Sequence, residues 1–502
     1  MRKPWSKTFS FVPNDGGSSS NHDDVVQTST ITKKLEPLLL EESGRVRAAV
    51  DKGNNVYMMF VMFGIGALLP WNMFLNIAHD YYTMFKLQGK NTTFPSNGTL
   101  FNQTVDDGFT QLSVMTAPNL NETNVTYYFT EYSENFQNSM TIAAQLPNLI
   151  FSLANIFLTT KGDLTRRMRI CLAVVFAMVL TTMIFIYVDT HGWTGTFYYL
   201  TLLTIIVLNA ANGLFQNSLF GLASSFPFEY TNAILIGQNF CGTAVSVLAL
   251  LTRVAASEDV QARAFLYFGI ASLVIVTCFV LLNVIHKNTF FKVFDVSEAN
   301  AYQDGFKKEI TTWEDIRIAF TRSKMQFANI FFLFFVTLSL FPSITMYVRD
   351  AAPGKQHNFI IPEGYMMDIT TFLNFNLFAF LGSLTANWVR LFGPKTIWIA
   401  VAVRVWFLFY FPLCNYYPTL EFGMRRFEPM FTSTWMFVLN VTLLAFSSGY
   451  LSSLIMMYAP KAHEEPRIQR MAGMIAAFFL IAGVVAGLSF SWGIKLITVS
   501  SA

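Results

Sequence analysis

Charged residues are scarce in this sequence. Asp, Glu, Lys and Arg make up 13% of its 502 residues, whereas soluble globular domains carry about 25%. Hydrophobic residues account for 53% of the chain, and the mean hydropathy is +0.42. The composition therefore predicts a multi-pass membrane protein in a lipid bilayer. The net charge of +3 gives no reason to expect a nucleic acid polymer as a partner.

Cysteine and the signatures of enzymes are also scarce. The four cysteines (Cys171, Cys241, Cys278 and Cys414) all fall in apolar runs without C-x-x-C or Cys/His spacing. Neither a zinc site nor a disulfide framework is therefore predicted. The motifs GxxxxGK[ST], HExxH and GxSxG are missing from the sequence. We expect no enzymatic activity, no catalytic residues, no metal and no cofactor.

Carboxylates are absent from the middle of the apolar runs. Asp368 and Lys495 lie near the ends of such runs, and Arg404 is the one charge placed deeply. Ion- and proton-driven transporters generally use buried carboxylates as relays or ligands, so their absence favours facilitated movement of a mostly neutral solute. We expect Arg404 to bond carbonyls or amides as a structural anchor, with contact to a substrate as the alternative.

Residues 1–55 lack the apolar region of a cleavable signal peptide. This polar, partly Ser-rich segment is expected to be a disordered cytosolic tail. It contains Glu36-Pro-Leu-Leu-Leu-Glu41, which is either a leucine-based sorting signal or an apolar stretch without function.

Eleven apolar segments are each close to the roughly 20 residues that cross a bilayer as a helix. They lie at about 56–77, 138–160, 170–188, 196–220, 231–252, 264–285, 326–348, 365–389, 396–416, 432–458 and 471–494. The fold class is therefore predicted to be all-α. The polar segment 286–325 separates six spans from five, so we expect a six-helix bundle over 56–285, a cytosolic linker over 286–325 and a five-helix bundle over 326–502.

The orientation follows from the connecting segments. With a cytosolic N-terminus, the inside segments hold 24 Lys and Arg residues and the outside loops hold 8, as the positive-inside rule requires. The loop 78–137 lies outside in this topology and carries five N-x-S/T acceptors: Asn91, Asn97, Asn102, Asn121 and Asn124. Because glycosylation requires lumenal or extracellular exposure, the two signals agree, and the C-terminus is expected to lie outside.

The stretch from Asn209 to Gly242 carries uncharged amides within apolar runs. They are Asn209, Asn212, Gln216, Asn217, Gln238 and Asn239. Amides at membrane depth are costly unless they meet each other, water or a solute. The cluster favours packed helices that line a solute path, and the alternative for any single residue is that its amide only joins helices.

Several motifs resemble those of the equilibrative nucleoside transporters. The first span reads Gly64-Ile-Gly-Ala-Leu-Leu-Pro-Trp-Asn72, similar to that family's G-x-G-x-L-L-P-W-N signature. Further blocks are Gln216-Asn-Ser-Leu-Phe-Gly221, Gly237-Gln-Asn-Phe-Cys-Gly242, Phe372-Leu-Asn-Phe-Asn376 and Phe446-Ser-Ser-Gly-Tyr-Leu451. The resemblance runs from about 56 to 495. It implies a major-facilitator-like bundle of six plus five helices and alternating access.

The resemblance also implies substrate-binding positions. The family's first-span Trp corresponds to Trp71, with Leu75 one turn on, and the fourth-span Gln that meets the nucleobase corresponds to Gln216. Gln145 occupies the second-span selectivity position, where vertebrate relatives can have Met. In the eighth span Phe372 and Asn376 match.

The eighth span also departs from the family pattern. The family usually shows Asp and then Gly-Arg, whereas this chain reads Ala379-Phe-Leu-Gly-Ser383. The acid–base pair normally placed near the sugar is missing, and Ser383 can offer only neutral hydrogen bonds. Weak discrimination of the sugar is therefore expected, unless Gln145 replaces the lost contact.

The sequence thus predicts sodium-independent, equilibrative transport of nucleosides, with an extension to nucleobases left open. The alternatives are a carrier of the same fold for another solute such as an organic cation, a proton-coupled endolysosomal exporter of nucleosides, and a membrane receptor or scaffold that transports nothing. The plasma membrane is the expected location, with an endolysosomal membrane as the alternative.

Overall fold

The computed structural model describes residues 51–93, 124–158, 164–255, 259–295, 313–352, 356–417 and 425–499. Eleven helices in these ranges give the molecule its frame. They are α1 (Asn55–Ile77), α2 (Glu131–Leu158), α3 (Leu164–Ile186), α4 (Thr194–Ser224), α5 (Phe228–Ala255), α6 (Val260–Val284), α7 (Trp313–Leu340), α8 (Asn374–Thr385), α9 (Ile397–Val403), α10 (Thr434–Lys461) and α11 (Pro466–Thr498).

Within those ranges, nine helical segments are long and apolar enough to cross a membrane, namely those that contain every helix except α8 and α9. The predicted spans coincide with helices, and the largest shift is at the N-terminus of the seventh. The seventh begins at Trp313 rather than 326, and the second begins at Glu131 rather than 138. Hydropathy did not mark these starts, because the first turns of both helices are polar.

The eighth and ninth spans are interrupted helices. A short α-helix, Glu363–Met366, and a π-helical stretch, Met367–Leu373, precede α8. Helix α9 ends at Val403, and helical structure resumes as Trp406–Tyr410 and a 3₁₀ turn, Phe411–Leu413. π-helical turns inside helices occur frequently at functional sites. The eighth and ninth spans are therefore candidates for a functional role in addition to their role in packing.

The loop 78–137 contributes structure that the hydropathy pattern did not predict. A π-helical segment, Ala78–Lys86, continues from α1, and two antiparallel strands follow, β1 (Gly89–Thr93) and β2 (Asn124–Tyr128). Residues 94–123 between the strands lie outside the described part of the chain. We call the end of the molecule with this hairpin the loop end.

The opposite end carries the connection between α6 and α7, and we call it the linker end. A helix, Thr289–Phe294, covers part of the predicted linker, and α7 begins at Trp313. The rest of that linker, 296–312, lies outside the described residues, as do residues 1–50 with the segment from Glu36 to Glu41.

Helix α5 approaches α1 closely because glycines face the partner helix on both sides. A Cβ atom at Gly237 would lie 2.0 Å from the carbonyl oxygen of Val61, and one at Gly64 would lie 2.2 Å from that of Ile234. Small residues allow such backbone contact between membrane helices, where packing replaces the hydrophobic effect. The approach fixes α5 next to the helix that carries Trp71.

Candidate functional site

Two amides of α4 donate hydrogen bonds to other groups of the protein. Asn217 donates to the Ser152 hydroxyl at 3.1 Å and to the Met474 carbonyl at 2.7 Å. Its oxygen accepts from Asn155 at 2.8 Å. Asn209 donates to the carbonyl one turn earlier in α4, at 2.9 Å. The contacts of Asn217 tie α4 to α2 and α11, whereas Asn209 bonds only its own helix among the described residues.

Two other amides of α4 have no such partners. Asn212 and Gln216 are each 5% exposed, and no described residue hydrogen-bonds with either side chain. They lie four residues apart and therefore on the same face of the helix. Gln238 on α5 is also buried, at 7% exposed, and unbonded among the described residues. Buried amides without partners cost about 1–3 kcal/mol each, a cost that water or a polar solute removes.

Gln145 lies on the helix that packs against this face of α4. A Cβ atom at Gly213 would lie 2.6 Å from the Asn148 carbonyl oxygen, so α2 touches α4 next to Asn212. Gln145 is half-buried and precedes Asn148 by one helical turn. Its amide makes no hydrogen bond with the described residues. A third unbonded glutamine therefore lies on α2, one turn from the contact between α2 and α4.

Trp71 and Leu75 occupy the C-terminal half of α1. Trp71 is half-buried, and Leu75 is 39% exposed. The neighbouring Asn72 donates to the Cys241 sulfur at 3.6 Å, which orients this part of α1 against α5. Hydrogen bonds and ring contacts between described residues do not link Trp71 or Leu75 directly to Gln216.

A row of polar contacts joins α5 to α8. Asn232, Asn239 and Ser246 are spaced by seven residues and so share one face of α5. Asn232 donates to the Ser383 carbonyl at 3.0 Å, and Asn239 donates to the Ser383 hydroxyl at 2.6 Å. Ser246 accepts from Asn376 at 2.9 Å. We call these five residues the α5–α8 seam.

The seam uses polar groups of Asn376, a matched position of the eighth span, and of Ser383, where the chain departs from the family pattern. The Ser383 hydroxyl, which accepts from Asn239, lies 3.1 Å from the Ala379 carbonyl, to which it donates. The Asn376 amide, besides its bond to Ser246, donates to the Phe372 carbonyl at 3.0 Å. The Phe372 ring meets Phe341 edge-on at 5.8 Å. Asn376 and Ser383 are thus engaged with α5 and with their own helix.

Sequence reasoning missed part of this seam. It singled out Asn239 but neither Asn232 nor Ser246, although their seven-residue spacing is a readable signal of one helix face. It also missed the aromatic pair Phe240 and Phe380, whose ring centroids lie 5.5 Å apart beside the seam.

The seam continues to α1 at the linker end. Asn232 donates to the Asn387 amide oxygen at 2.8 Å, and Asn387 donates to the Tyr57 hydroxyl at 3.1 Å. The Asp51 carboxylate accepts from the Tyr230 hydroxyl at 3.0 Å and from the Tyr57 backbone N–H at 3.0 Å. This chain of bonds joins helices from both halves of the sequence.

At the loop end an ion pair bridges the same two parts of the molecule. Arg253, near the end of α5, pairs with Asp368 in the π-helical stretch before α8. Its guanidinium also lies 5.6 Å from the centre of the Tyr365 ring. Helix α5 is therefore bonded to the eighth span at both ends of the molecule.

Arg404 lies where α9 is interrupted, and it is 2% exposed. It donates to the Leu444 carbonyl at 2.9 Å, to the Thr337 hydroxyl at 2.6 Å and to the Ser447 hydroxyl. These partners belong to α7 and α10. The geometry supports an anchor among three helices, and the guanidinium meets carbonyl and hydroxyl oxygens rather than a carboxylate.

Of the five predicted glycan acceptors, two lie in the hairpin. Asn91 is in β1 and Asn124 is in β2, where Asn91 faces Thr126 in the register and Asn124 faces Thr93. Asn97, Asn102 and Asn121 lie outside the described residues.

Comparisons of the sequence with known proteins agree on one family. A family model described as "Nucleoside transporter" matches residues 202–496, more than half of the chain. The human equilibrative nucleoside transporter 1 is 29% identical over 470 residues, which cover 88% of this chain and 97% of that protein. The rat equilibrative nucleoside transporter 3 is 26% identical, with 93% of this chain and 94% of that protein covered. The Arabidopsis thaliana equilibrative nucleotide transporter 1 is 25% identical, with coverages of 90% and 88%.

Solved structures agree on the fold. The proton:xylose symporter XylE, a protein of the major facilitator superfamily, superposes with a TM-score of 0.51 at 9% identity, and the match covers 88% of each chain. The molecule is therefore a multi-pass helical bundle of the major-facilitator type, and a transporter rather than an enzyme. The chain belongs to the nucleoside transporter family.

Proposed function

We propose that this protein moves nucleosides across a membrane by facilitated, sodium-independent transport with alternating access. The observation that carries the proposal is the contrast within α4, where Asn212 and Gln216 are buried without partners among the described residues while Asn217 makes three hydrogen bonds to α2 and α11. Similarity to relatives named equilibrative nucleoside transporters supports the choice of solute.

A nucleobase fits the chemistry of these two side chains. The edge of a base places hydrogen-bond donors and acceptors next to each other, and a primary amide can match both at once. Gln216 reads the base in this proposal, Asn212 and Gln145 add neutral hydrogen bonds, and Trp71 and Leu75 form an apolar wall. Phe372, Asn376 and Ser383 complete the path from the side of the eighth span.

Alternating access requires two bodies that move against each other. We take these to be the six-helix bundle 56–285 and the five-helix bundle 326–502, joined by the linker 286–325. The α5–α8 seam lies between them, and its neutral hydrogen bonds are worth about 0.5–1.5 kcal/mol each. Contacts of that strength can be exchanged for water during a transport cycle.

Uptake measurements in a host that lacks nucleoside transporters test the proposal. Cells that express the protein should take up labelled adenosine and uridine faster than control cells. Unlabelled nucleoside should compete, and replacing sodium by choline should leave the rate unchanged. Surface-expressed protein without uptake of either nucleoside would overturn it.

A wider substrate range that includes nucleobases is the second candidate. It rests on the state of Asn376 and Ser383, whose polar groups bond α5 and their own helix. Together with the missing Asp and Arg, this leaves the sugar without charge-assisted hydrogen bonds, which are worth about 1.5–3 kcal/mol each.

Competition of labelled adenosine uptake measures this range. We expect 2′,3′-dideoxyadenosine and adenine to compete within about tenfold of adenosine, because a single neutral hydrogen bond accounts for about 1 kcal/mol. If both compete a hundredfold more poorly, the sugar is read strongly. In that case Gln145→Met should abolish the preference if Gln145 supplies the missing contact.

We also propose that the N-terminus and the linker end face the cytosol and that the loop end faces outward, at the plasma membrane. The distribution of Lys and Arg and the five acceptors in the loop 78–137 support this orientation. Glycosidase treatment of protein from a eukaryotic host should increase its gel mobility. An unchanged mobility together with cytosolic accessibility of an epitope in the loop would reverse the orientation.

A further inference from the structure

A pocket of about 480 Å³ opens at the linker end, away from the amides of α4. It lies between α7, the turn that leads into α9, and the end of α10. Arg322, Lys395 and Lys461 line it, together with the side chains of Met325 and Trp398. Three cations from three different elements therefore converge on one cavity.

The three cations have no acidic partner in the part of the chain that the structure describes. No carboxylate oxygen in the described ranges lies within 4.0 Å of Arg322, Lys395 or Lys461. Two other cations at this end are paired, since Arg467 lies 3.0 Å from Asp315 and Arg470 lies 3.6 Å from Asp295. The three cations of the pocket differ from this pair of arginines in having no such partner among the described residues.

A fourth cation adds to this charge. The Arg390 guanidinium lies 4.0 Å from the centre of the Phe228 ring, and the Lys461 ammonium lies 5.4 Å from the same ring. The Phe228 ring thus holds two like charges near each other. Their repulsion rises as the dielectric constant of the surroundings falls, and an anion in the pocket would relieve it.

Hydrogen bonds fix the walls of the pocket. Gln326 donates to the Pro394 carbonyl at 2.7 Å, and Tyr458 donates to the Phe392 carbonyl at 2.8 Å. These bonds hold the turn before α9 against α7 and α10. Behind the wall, burial and then the charge of Arg322 lower the pKa of His463, so this imidazole is neutral at pH 7 and the positive charge comes from the Arg and Lys side chains.

The outer rim of the pocket is apolar. Met325 is 48% exposed and Trp398 is 47% exposed. Met325 stands where the polar first turns of α7 give way to its apolar part, and Trp398 stands at the start of α9, the kind of position where aromatics lie at headgroup level. The three cations and these apolar side chains thus share one opening. A ligand that fills the site must join an anion to apolar chains.

We propose that this pocket binds the phosphorylated headgroup of an anionic phospholipid. Arg322, Lys395 and Lys461 neutralise the phosphate groups, and the acyl chains run along Met325 and Trp398. Basic pockets between membrane helices recognise phosphoinositide headgroups in this way. In the orientation proposed above, the lipid comes from the cytosolic leaflet, where anionic lipids are concentrated. The inference does not depend on which solute the protein transports.

Binding to the purified full-length protein in nanodiscs of neutral lipid tests the proposal. Dioctanoyl phosphatidylinositol 4,5-bisphosphate is titrated while thermal stability and lipid-bound species in native mass spectrometry are followed. The variants are Lys395→Gln, Lys461→Gln and the double variant. Lys324→Gln is the matched control, because Lys324 is an exposed lysine of α7 two residues from Arg322 that does not line the pocket.

We expect the lipid to raise the melting temperature of the wild type and of Lys324→Gln equally. Each pocket lysine removed should weaken binding roughly fivefold, the equivalent of one surface lysine. Inositol trisphosphate and ATP, which lack acyl chains, should bind more weakly than the lipid.

Three results would overturn the proposal. The first is no binding by a correctly folded wild type. The second is equal weakening in Lys324→Gln and the pocket variants, which would indicate diffuse surface attraction. The third is binding of inositol trisphosphate or ATP as tight as that of the lipid, which would assign the pocket to a soluble polyphosphate.

Discussion

Gln216 and Asn217 are neighbours in the chain, yet their amides have opposite surroundings. Asn217 makes three side-chain hydrogen bonds to α2 and α11. Gln216 is buried without a hydrogen bond from any described residue. Helix periodicity explains the contrast, since adjacent residues point about 100° apart around the helix axis. Composition alone does not separate a residue that joins helices from one left for a solute.

Gln216→Leu should therefore impair transport without harming the fold. The change removes an amide that bonds no group among the described residues, so melting temperature and surface abundance should stay near wild type. Loss of the bond to substrate, about 1–3 kcal/mol, corresponds to a roughly five- to hundredfold loss of apparent affinity. Uptake kinetics at measured surface abundance check this outcome.

Asn217→Leu is the matched control, and it should impair the fold before it impairs substrate binding. It removes the buried hydrogen bonds that join Asn217 to Asn155 and to the Met474 carbonyl, so it should lower thermal stability and abundance first. Normal uptake kinetics in Gln216→Leu, or equal thermal destabilisation by both variants, would assign Gln216 to helix packing.

At the scale of elements, α5 contacts the eighth span at two places. Toward the linker end, the hydrogen bonds of the α5–α8 seam and of Asn387 join the two elements. At the loop end, the ion pair of Arg253 with Asp368 joins them. A transporter with alternating access must open one end at a time. The ion pair is therefore positioned to help close the loop end.

Asp368→Arg and Arg253→Asp should each slow uptake, because each brings like charges together at the loop end. The side chains of Arg253 and Asp368 are 48% and 20% exposed, and exposed pairs contribute only about 0–1 kcal/mol to stability. Melting temperatures should thus change by a few degrees at most. The double exchange restores the pair, and its uptake rate should lie closer to wild type than that of either single variant.

The comparison of the double exchange with the two single ones isolates the pair, because it measures coupling rather than the effect of either residue. Two additive single effects, with no recovery in the double exchange, would show that the pair does not act as a unit in the transport cycle.

Long apolar runs made most elements predictable from the sequence. The interruptions were not predictable, because α9 stops at Val403 within an apolar stretch and the π-helical turns at Ala78 and Met367 follow from tertiary contacts rather than composition. The hairpin of β1 and β2 was not predictable from hydropathy either, since Gly89–Thr93 is polar and short.

Candidate site residues were predictable where they lie in a motif. Their contacts were not predictable where these depend on how the helices pack. Trp71, Gln216 and Asn376 were identified from motifs, but the sequence does not show that Asn376 and Ser383 are engaged with α5. Such pairings depend on how α5 and α8 approach each other. Gly242 permits this approach, since a Cβ atom there would lie 2.3 Å from the Asn376 amide oxygen.

For the whole molecule, the distribution of charge and the absence of mid-membrane carboxylates indicate how transport is driven. The deeply buried Arg404 bonds carbonyl and hydroxyl oxygens, and Asp368 pairs with Arg253. Within the described spans, no carboxylate lies at mid-depth, where it could couple an ion gradient to transport of the solute. We therefore infer that the protein equilibrates its substrate and does not concentrate it.

The most direct test is the final level of labelled adenosine in vesicles reconstituted with the purified protein. The account predicts entry faster than in protein-free vesicles, a plateau equal to the outside concentration, and the same time course in sodium and in choline. A plateau well above the outside concentration that collapses when sodium is removed, or entry no faster than in protein-free vesicles, would contradict it.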